Sequence, residues 1–403
     1  MPEFLTLDTA TAADYVKKIP GLFPPDAELS CTEIGDGNIN FVFIVRDGKT
    51  GRSAVIKQSL PYLRSSGKNR LLTVDRARIE NEALQIEHSF CPDLVPAIYH
   101  TDKDNALTVM EDISDHLNLR KGLIQRRKYP AFPRHIGRFL ARTLFLTSDL
   151  ALDGKAKKTL LSRFINPEMC EITENLVFTV PYYDAATTKY TPGAAAAGAA
   201  LRENGPLKLE IARLKDGFLT RGQALLHGDL HTGSIFVTET STKVIDPEFA
   251  FFGPMGFDIG AVIGNLVLNY AAQAYHSPTP AEREDYRSYL LNTVAETWRT
   301  FEAEFRRLWA EKAVEITARA PGYQDYYLRS VLRDACGYGG CKAIRRIGRA
   351  QVDDFKAISD EAARGRAEVH ALALGAAMIM HREEIDRIED LTEMVRSITE
   401  PKD

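Results

Sequence analysis

His227-Gly228-Asp229-Leu230-His231-Thr232-Gly233-Ser234 is followed, a short way on, by Val244-Ile245-Asp246-Pro247-Glu248. The text between reads as strand, polar turn and strand: Ser234 to Val237, Thr238 to Thr242, Lys243 to Ile245. A hairpin there returns the chain, so the carboxylate ahead of its first strand and those ending its second can share one small volume. Phosphoryl transfer needs one carboxylate to orient and finally take the proton of an attacking hydroxyl, and others to hold Mg²⁺ on the phosphates. Asp229 suits the first role, Asp246 and Glu248 the second. Singly, each Asp is as much at home closing a turn beside Gly228 or before Pro247; the chemistry is carried by the combination.

Toward the N-terminus, Phe41 to Val45, Ser53 to Lys57 and Ala106 to Met110 are short runs rich in Val, Ile and Phe and read as strands. Asp75 to Phe90 reads as a helix, with Ile79, Ala83, Ile86 and Phe90 on one face. Lys57 ends a strand on which Val55 and Lys57 point to the same side, the arrangement by which a kinase lysine reaches the α- and β-phosphates. Glu80 lies on the following helix in a position that resembles the lysine-pairing glutamate of kinases, with Glu82 as second choice; by themselves both read as solvated helix-face charges. In Gly35-Asp36-Gly37-Asn38-Ile39-Asn40, Gly35, Gly37, Asn38 and Asn40 would let backbone N–H groups approach phosphate oxygens; alone, that segment is a hairpin turn. Val109-Met110-Glu111-Asp112-Ile113 follows a strand where the composition changes, and the main chain about Glu111 and Ile113 is the candidate contact for a purine ring.

Beyond residue 113 long amphipathic patterns take over, for example Ile136, Leu140, Thr143 and Leu144, then Trp298, Phe301, Phe305 and Leu308. Two parts are expected, 1–113 and 114–403, in an α+β fold with a small β-rich N-terminal lobe and a larger, mainly helical C-terminal lobe. Ile259 to Tyr275, the longest apolar stretch, is broken by Asn265, Asn269 and Gln273 and reads as a buried helix rather than a membrane span. Gly193 to Ala200 is Ala/Gly-rich, open to helix or to a mobile segment. Trp298, Trp309 and Tyr323 to Tyr327 read as core. A net charge of −4 gives no general attraction to nucleic acid or anionic lipid. Five scattered cysteines, Cys336 and Cys341 being the only close pair, and an N-terminus without a secretory pattern fit a reducing cytoplasm.

The pair of acidic loops, Asp229 and Asp246 lying 17 residues apart, resembles the catalytic and metal loops of aminoglycoside phosphotransferase-like kinases, which have the protein-kinase-like bilobal fold. Within them, Asp246-Pro247-Glu248-Phe249-Ala250-Phe251-Phe252-Gly253-Pro254-Met255-Gly256-Phe257-Asp258 is similar to the methylthioribose kinase family. So are Gly35 to Phe43, Val109 to Ile113 and Arg345-Arg346-Ile347-Gly348. Ser234 stands where the wider group has a metal-binding asparagine, and Glu248 enters in the later motif; both are features of the narrower family. The resemblance implies ATP and Mg²⁺ as cofactors. It implies transfer of phosphate to the 1-hydroxyl of 5-methylthioribose in methionine salvage, Asp229 as the catalytic and substrate-orienting base, and a homodimer. It also implies Arg345 and Arg346 in contact with the sugar or the moving phosphoryl group, where by themselves they would read as a solvated basic face. Asp258 is expected to brace the catalytic loop, and His227 likewise. The alternatives are a kinase of another small hydroxylated acceptor (aminoglycoside, choline, homoserine or sugar) and a nucleotide-binding module without catalysis.

Overall fold

Alternating side chains in five short strands fix the first part of the molecule, and the computed structural model describes residues 4–34, 40–62, 72–348 and 352–399. The strands are β1 (Leu29–Glu33), β2 (Asn40–Asp47), β3 (Ser53–Ser59), β4 (Ile98–Asp102) and β5 (Leu107–Glu111). They form one antiparallel sheet in the order β1-β2-β3-β5-β4. Helix α1 (Thr9–Lys17), started by an Asp8 cap whose Oδ1 accepts the Thr11 N–H at 2.8 Å, lays Ala12 and Val16 on this sheet. With Leu7 and Leu22 they meet Phe43, Val45, Ala54, Ile56, Leu107 and Val109, each large side chain there adding about 1.5–3 kcal/mol on full burial. Because Ala54 and Ile56 point into this core, Lys57 points to the opposite face.

That face receives α2 (Asp75–Phe90), which buries Ile79 and Ala83 but leaves Ile86 and Phe90 only half-buried. Its buried side is rotated toward Arg76, Glu80, Asn81, Leu84 and Glu87. The apolar pattern alone could not show this, since the polar members are buried by pairing: Thr108 Oγ1 donates to Asn81 Oδ1 at 2.5 Å, and Lys57 to Glu80.

The chain separates into two compact units, Met1–Asp115 with Lys243–Ala250, and His116–Thr242 with Phe251–Asp403. The returning segment 243–250 is tied into the first unit by the Val244 N–H on Leu94 O at 2.8 Å and by Lys243 Nζ on Glu111 Oε2 at 3.0 Å.

In the second unit, β6 (Leu117–Asn118) pairs with β8 (Ile235–Val237), and β7 (Ala224–Leu226) with β10 (Phe251–Gly253), both antiparallel. Thr238 donates its N–H to Ser241 O at 2.9 Å, closing the turn after β8; β9 (Thr242–Val244) leads the chain into the other unit. The principal helices are α3 (Leu119–Ile124), α4 (Phe132–Leu146), α5 (Gly256–His276), α6 (Pro280–Lys312), α7 (Tyr323–Gly348) and α8 (Glu361–Met380). Ala195–Glu203 is also helical, so the Ala/Gly stretch takes the helical alternative. Phe145 of α4 meets Phe305 of α6 edge-on at 5.1 Å, and Trp309 meets Tyr327 at 5.5 Å with its indole N–H satisfied by Ala318 O. Helix α5 is buried through Gln273. Among the described residues no helix is long and apolar enough to cross a membrane. Helices α5 and α7 approach unusually closely: a Cβ on Gly264 would sit 2.4 Å from Gly339 O, so only glycine fits there.

Candidate active site

The loop after β7 is held by its own backbone. Gly228 has φ +83, a left-handed conformation open to glycine at no steric cost. Asp258, in the first turn of α5, accepts the N–H groups of His227 at 2.6 Å and Gly228 at 3.0 Å, one on each carboxylate oxygen. Burial pushes the Asp258 carboxyl up, against the pull of His227 and the two N–H donors. His227 Nδ1 in turn accepts the Asp229 N–H at 3.3 Å. Both residues therefore do the bracing expected of them, and Asp229 is presented on a fixed turn. Arg120 of α3 backs the loop: its N–H donates to Thr232 O at 3.1 Å and its Nε to Thr232 Oγ1 at 3.3 Å, with Asp354 at 3.8 Å.

Around the Asp229 carboxylate stand Lys342 Nζ, 3.2 Å from Oδ1, Arg345 Nη1, 4.0 Å from Oδ1, and His231 Nε2, 3.5 Å from Oδ2. His231 Nδ1 accepts the Gly233 N–H at 3.1 Å, which leaves the proton of a neutral ring on Nε2, toward Asp229. Burial, joined by Arg346, Arg120 and Lys342, keeps His231 neutral despite Asp229. Asp229 is held well below the usual carboxylate range: burial opposes its charge, a charged His231 would favour it, and Lys342, Arg345 and Arg346 favour it too. With His231 neutral, the three cations of α7 are what sustain the carboxylate. Burial and Arg345 also press on Arg346, but a guanidinium keeps its proton through any working pH. Ser234 Oγ lies 3.2 Å from Asp229 O and 3.1 Å from His231 Nδ1, so it serves the loop.

In the first unit the charge balance is reversed. Lys57 Nζ is 2.6 Å from Glu80 Oε1 and 2.5 Å from Asp246 Oδ1. Burial opposes the lysine charge, but Asp246, Glu80 and Glu248 outweigh it and raise Lys57 above its ordinary value. Glu80 is pushed up to about 7 by burial, with Lys57 pulling down and Asp246 and Glu248 pushing up. Asp246 has φ +67, rare for a residue other than glycine, and its side chain is 43% exposed. Glu248 is buried, its Oε2 taking the Nε of Arg76 at 3.2 Å and Asn40 Nδ2 at 3.5 Å. Arg76, fully buried, also donates to Asn40 Oδ1 at 3.0 Å and to the carbonyls of Leu60 at 2.8 Å and Thr73 at 2.7 Å.

Three carboxylates about one lysine and one arginine leave an excess of negative oxygen donors, which fits a hard divalent cation. Among the described residues no group of three or more His, Cys, Asp or Glu is arranged to hold a metal alone; Mg²⁺, which keeps waters and takes phosphate oxygens, needs only one or two carboxylates from the protein.

Residues 30–303 match the phosphotransferase enzyme family. The chain is 45% identical to a methylthioribose kinase of Geobacillus thermodenitrificans (strain NG80-2) over 371 residues, 92% of this chain and 91% of that one. It is 42% identical to a methylthioribose kinase of Yersinia pseudotuberculosis serotype O:1b (strain IP 31758), covering 98% of this chain and 97% of the relative. The chain belongs to the methylthioribose kinase family. An antiparallel N-terminal sheet followed by a mainly helical region is the protein-kinase-like arrangement of that family. Among solved structures it is similar to a glucosamine kinase, with TM-score 0.47 and 14% identity, covering 86% of this chain and 81% of that one.

Of the residues singled out in the sequence, Lys57, Glu80, Asp246, Glu248 and Asn40 are gathered in the first unit, and Asp229, Arg345 and Arg346 in the second. Glu82 pairs instead with Arg78 at 3.4 Å. The Glu111 side chain accepts the Ala97 N–H at 3.1 Å as well as Lys243, and Ile113 is half-buried beyond β5. Gly35, Gly37 and Asn38 lie outside the described residues. Sequence reasoning missed Arg76, Arg120, His231 and Lys342 as members of these networks. For two of them a signal existed: Arg76 is four residues before Glu80, and Lys342 three before Arg345, each pair on one helical face.

Proposed function

We propose that this chain phosphorylates the 1-hydroxyl of 5-methylthioribose, with ATP as donor and Mg²⁺ as cofactor, giving methylthioribose 1-phosphate and ADP in methionine salvage. The observation that carries the reading is a buried Asp229 carboxylate, kept ionised by Lys342, Arg345 and Arg346, in a chain 45% identical to a methylthioribose kinase. An ionised carboxylate on a fixed loop orients a sugar hydroxyl and takes its proton as the oxygen attacks phosphorus. Arg345 and Arg346 supply planar donors for the sugar and for charge on the moving phosphoryl group. Lys57, steadied by Glu80, binds the α- and β-phosphates, and the segment Gly35 to Asn40 supplies backbone N–H groups to them. The main chain at Glu111 and Ile113 receives the adenine. Asp246 and Glu248 would hold Mg²⁺, whose charge would offset that of the phosphates.

These roles divide between a donor half, 1–113 with the acidic segment, and an acceptor half in the remainder. A homodimer in the cytoplasm completes the proposal, read by sedimentation and by cell fractionation. The test of function is ADP release by the purified protein with Mg²⁺–ATP, offering methylthioribose beside ribose, choline, homoserine and an aminoglycoside. Turnover confined to methylthioribose is expected. Turnover confined to another acceptor overturns the substrate, and no turnover with any of them overturns the kinase reading.

A further inference from the structure

Helix α7 brings more than its two arginines to Asp229. Lys342 is 3% exposed, on the helix face that also carries Arg345 and Arg346. Its Nζ lies 3.2 Å from Asp229 Oδ1, 3.5 Å from Gly228 O and 4.4 Å from the centre of the Phe257 ring. Phe257 and Asp258 are adjacent on α5, so the residue that flanks the ammonium is next in sequence to the one that braces the loop. The glycine contacts bring α5 and α7 together with no room for a side chain at Gly260, Gly264 or Gly339. Lys342 thus has a fixed anchor, a carboxylate and a carbonyl to bond, and an aromatic face to lie against.

Resting on the kinase reading above, we propose that Lys342 is a positioning residue: its ammonium holds Oδ1 of Asp229, orienting Oδ2 toward the acceptor hydroxyl, and its loss of a proton switches turnover off on the alkaline side. No atom of Lys342 enters the reaction; the hydroxyl proton goes to Asp229, and Lys342 keeps its own throughout. Arg345, at 4.0 Å from the same oxygen, is too far to replace that bond. The charged and titratable groups that face Lys342 are Asp229 and His231 from the loop, Asp258 from α5, and Arg345 and Arg346 from its own helix. Helix α8 meets α7 with Gly375, Met378 and Ile379; one turn before Lys342, at Gly337, Leu214 of the helix Gly205–Thr220 packs beside the Arg382 side chain, whose guanidinium is taken up by Asp334 and Glu210. Burial, reinforced by Arg345 and Arg346 and resisted by Asp229, brings Lys342 down to about 8, within reach of an ordinary pH profile.

The experiment compares wild type, Lys342→Met and Lys342→Arg across pH 6 to 10, with thermal unfolding of each. Wild-type kcat should fall as pH rises through about 8. Lys342→Met should lower kcat about 10- to 100-fold at pH 7, the loss expected for one charge-assisted bond, with KM for ATP unchanged and the alkaline limb gone. Lys342→Arg, charged at every pH tested, should recover part of kcat and lose the limb as well. A merely structural lysine would shift the melting temperature and leave the limb in place; that result overturns the proposal. A second readout needs no turnover: the ¹³C-carboxyl resonance of Asp229, identified by its absence in Asp229→Asn, should titrate at higher pH in Lys342→Met than in wild type. If none of the offered acceptors is turned over, the kinase reading falls while this titration still decides for or against Lys342.

Discussion

The two charged clusters are built with opposite surpluses. Around Asp229 one carboxylate faces Lys342, Arg345 and Arg346; around Lys57 one ammonium faces Glu80, Asp246 and Glu248, with Arg76 bonded to Glu248. Each surplus matches what its half of the reaction lacks. On the proposed function, the first unit has too many carboxylates for its cations, and a divalent metal would remove the imbalance. The second has too many cations for its carboxylate, and a phosphoryl group carrying negative charge would remove that one. In both, burial makes the imbalance costly until a ligand arrives. Opposite sign also means opposite response to mutation: removing Asp229 worsens the crowding of its neighbours, while removing one of the three acids eases theirs.

The sharpest way to break this comparison is at its two hubs. Asp229→Asn should cost about 10²- to 10⁴-fold in kcat, the range for a general base, with ATP affinity retained; if kcat holds within a factor of two, Asp229 is not the base. Lys57→Met takes the ammonium away from Glu80 and Asp246, while Glu248 keeps Arg76. Breaking a buried pair costs about 3–5 kcal/mol, and the loss should be greater at pH 8 than at pH 6. The sign follows from Glu80, whose folded value of about 7 lies above its ordinary 4.5. Its contribution is fully present below pH 4.5 and is lost as pH rises through 7, and without Lys57 that window extends upward. Melting temperatures at the two pH values read the difference directly; equal losses would show that the lysine charge is not what the acids answer to. Asp258→Asn comes next. An amide presents an N–H₂ where two backbone N–H groups need acceptors, costing about 1–3 kcal/mol and loosening the loop beneath Asp229. Lower kcat together with a lower melting temperature is expected; an unchanged kcat would detach the brace from the chemistry.

How much of this was legible in the sequence depended on whether a residue's role was local or required another element. The strands and the helix from Asp75 to Phe90 were readable because a Val-, Ile- and Phe-rich run or a period of 3.6 is written within a dozen residues, and Asp258 was readable because a helix start is a local event. The buried polar face of α2 was legible only at Glu80, which the kinase pattern places against Lys57; Arg76 looks like a solvated charge until Glu248, far along the chain, is brought to it. Lys342 was hidden in the same way. Within Lys342 to Arg349 it is one more cation, and only the close glycine packing of α5 on α7 turns it from surface decoration into a buried neighbour of Asp229. The return of Lys243–Ala250 to the first unit likewise depends on Leu94 and Glu111, which no pattern in the returning segment mentions.

The smallest expected effect is the most discriminating. Glu80→Gln keeps the shape and an oxygen for Lys57 to bond, but removes one of the three negative charges. In an isolated ion pair that substitution would leave a buried ammonium unmatched and cost several kcal/mol. Here Lys57 retains Asp246 at 2.5 Å, and the remaining acids are relieved of a like charge, so the change at pH 8 should be under about 1 kcal/mol and of either sign. The variant should also lose a slope: wild type becomes less stable between pH 4.5 and about 7, where Glu80 ionises in the unfolded chain while the fold still holds its proton, and Glu80→Gln should not. Denaturant unfolding at pH 5 and pH 8 measures both quantities. A loss of several kcal/mol at pH 8, with the wild-type slope intact, would mean that Lys57 and Glu80 form a self-sufficient pair and that the donor half carries no surplus for a metal to correct.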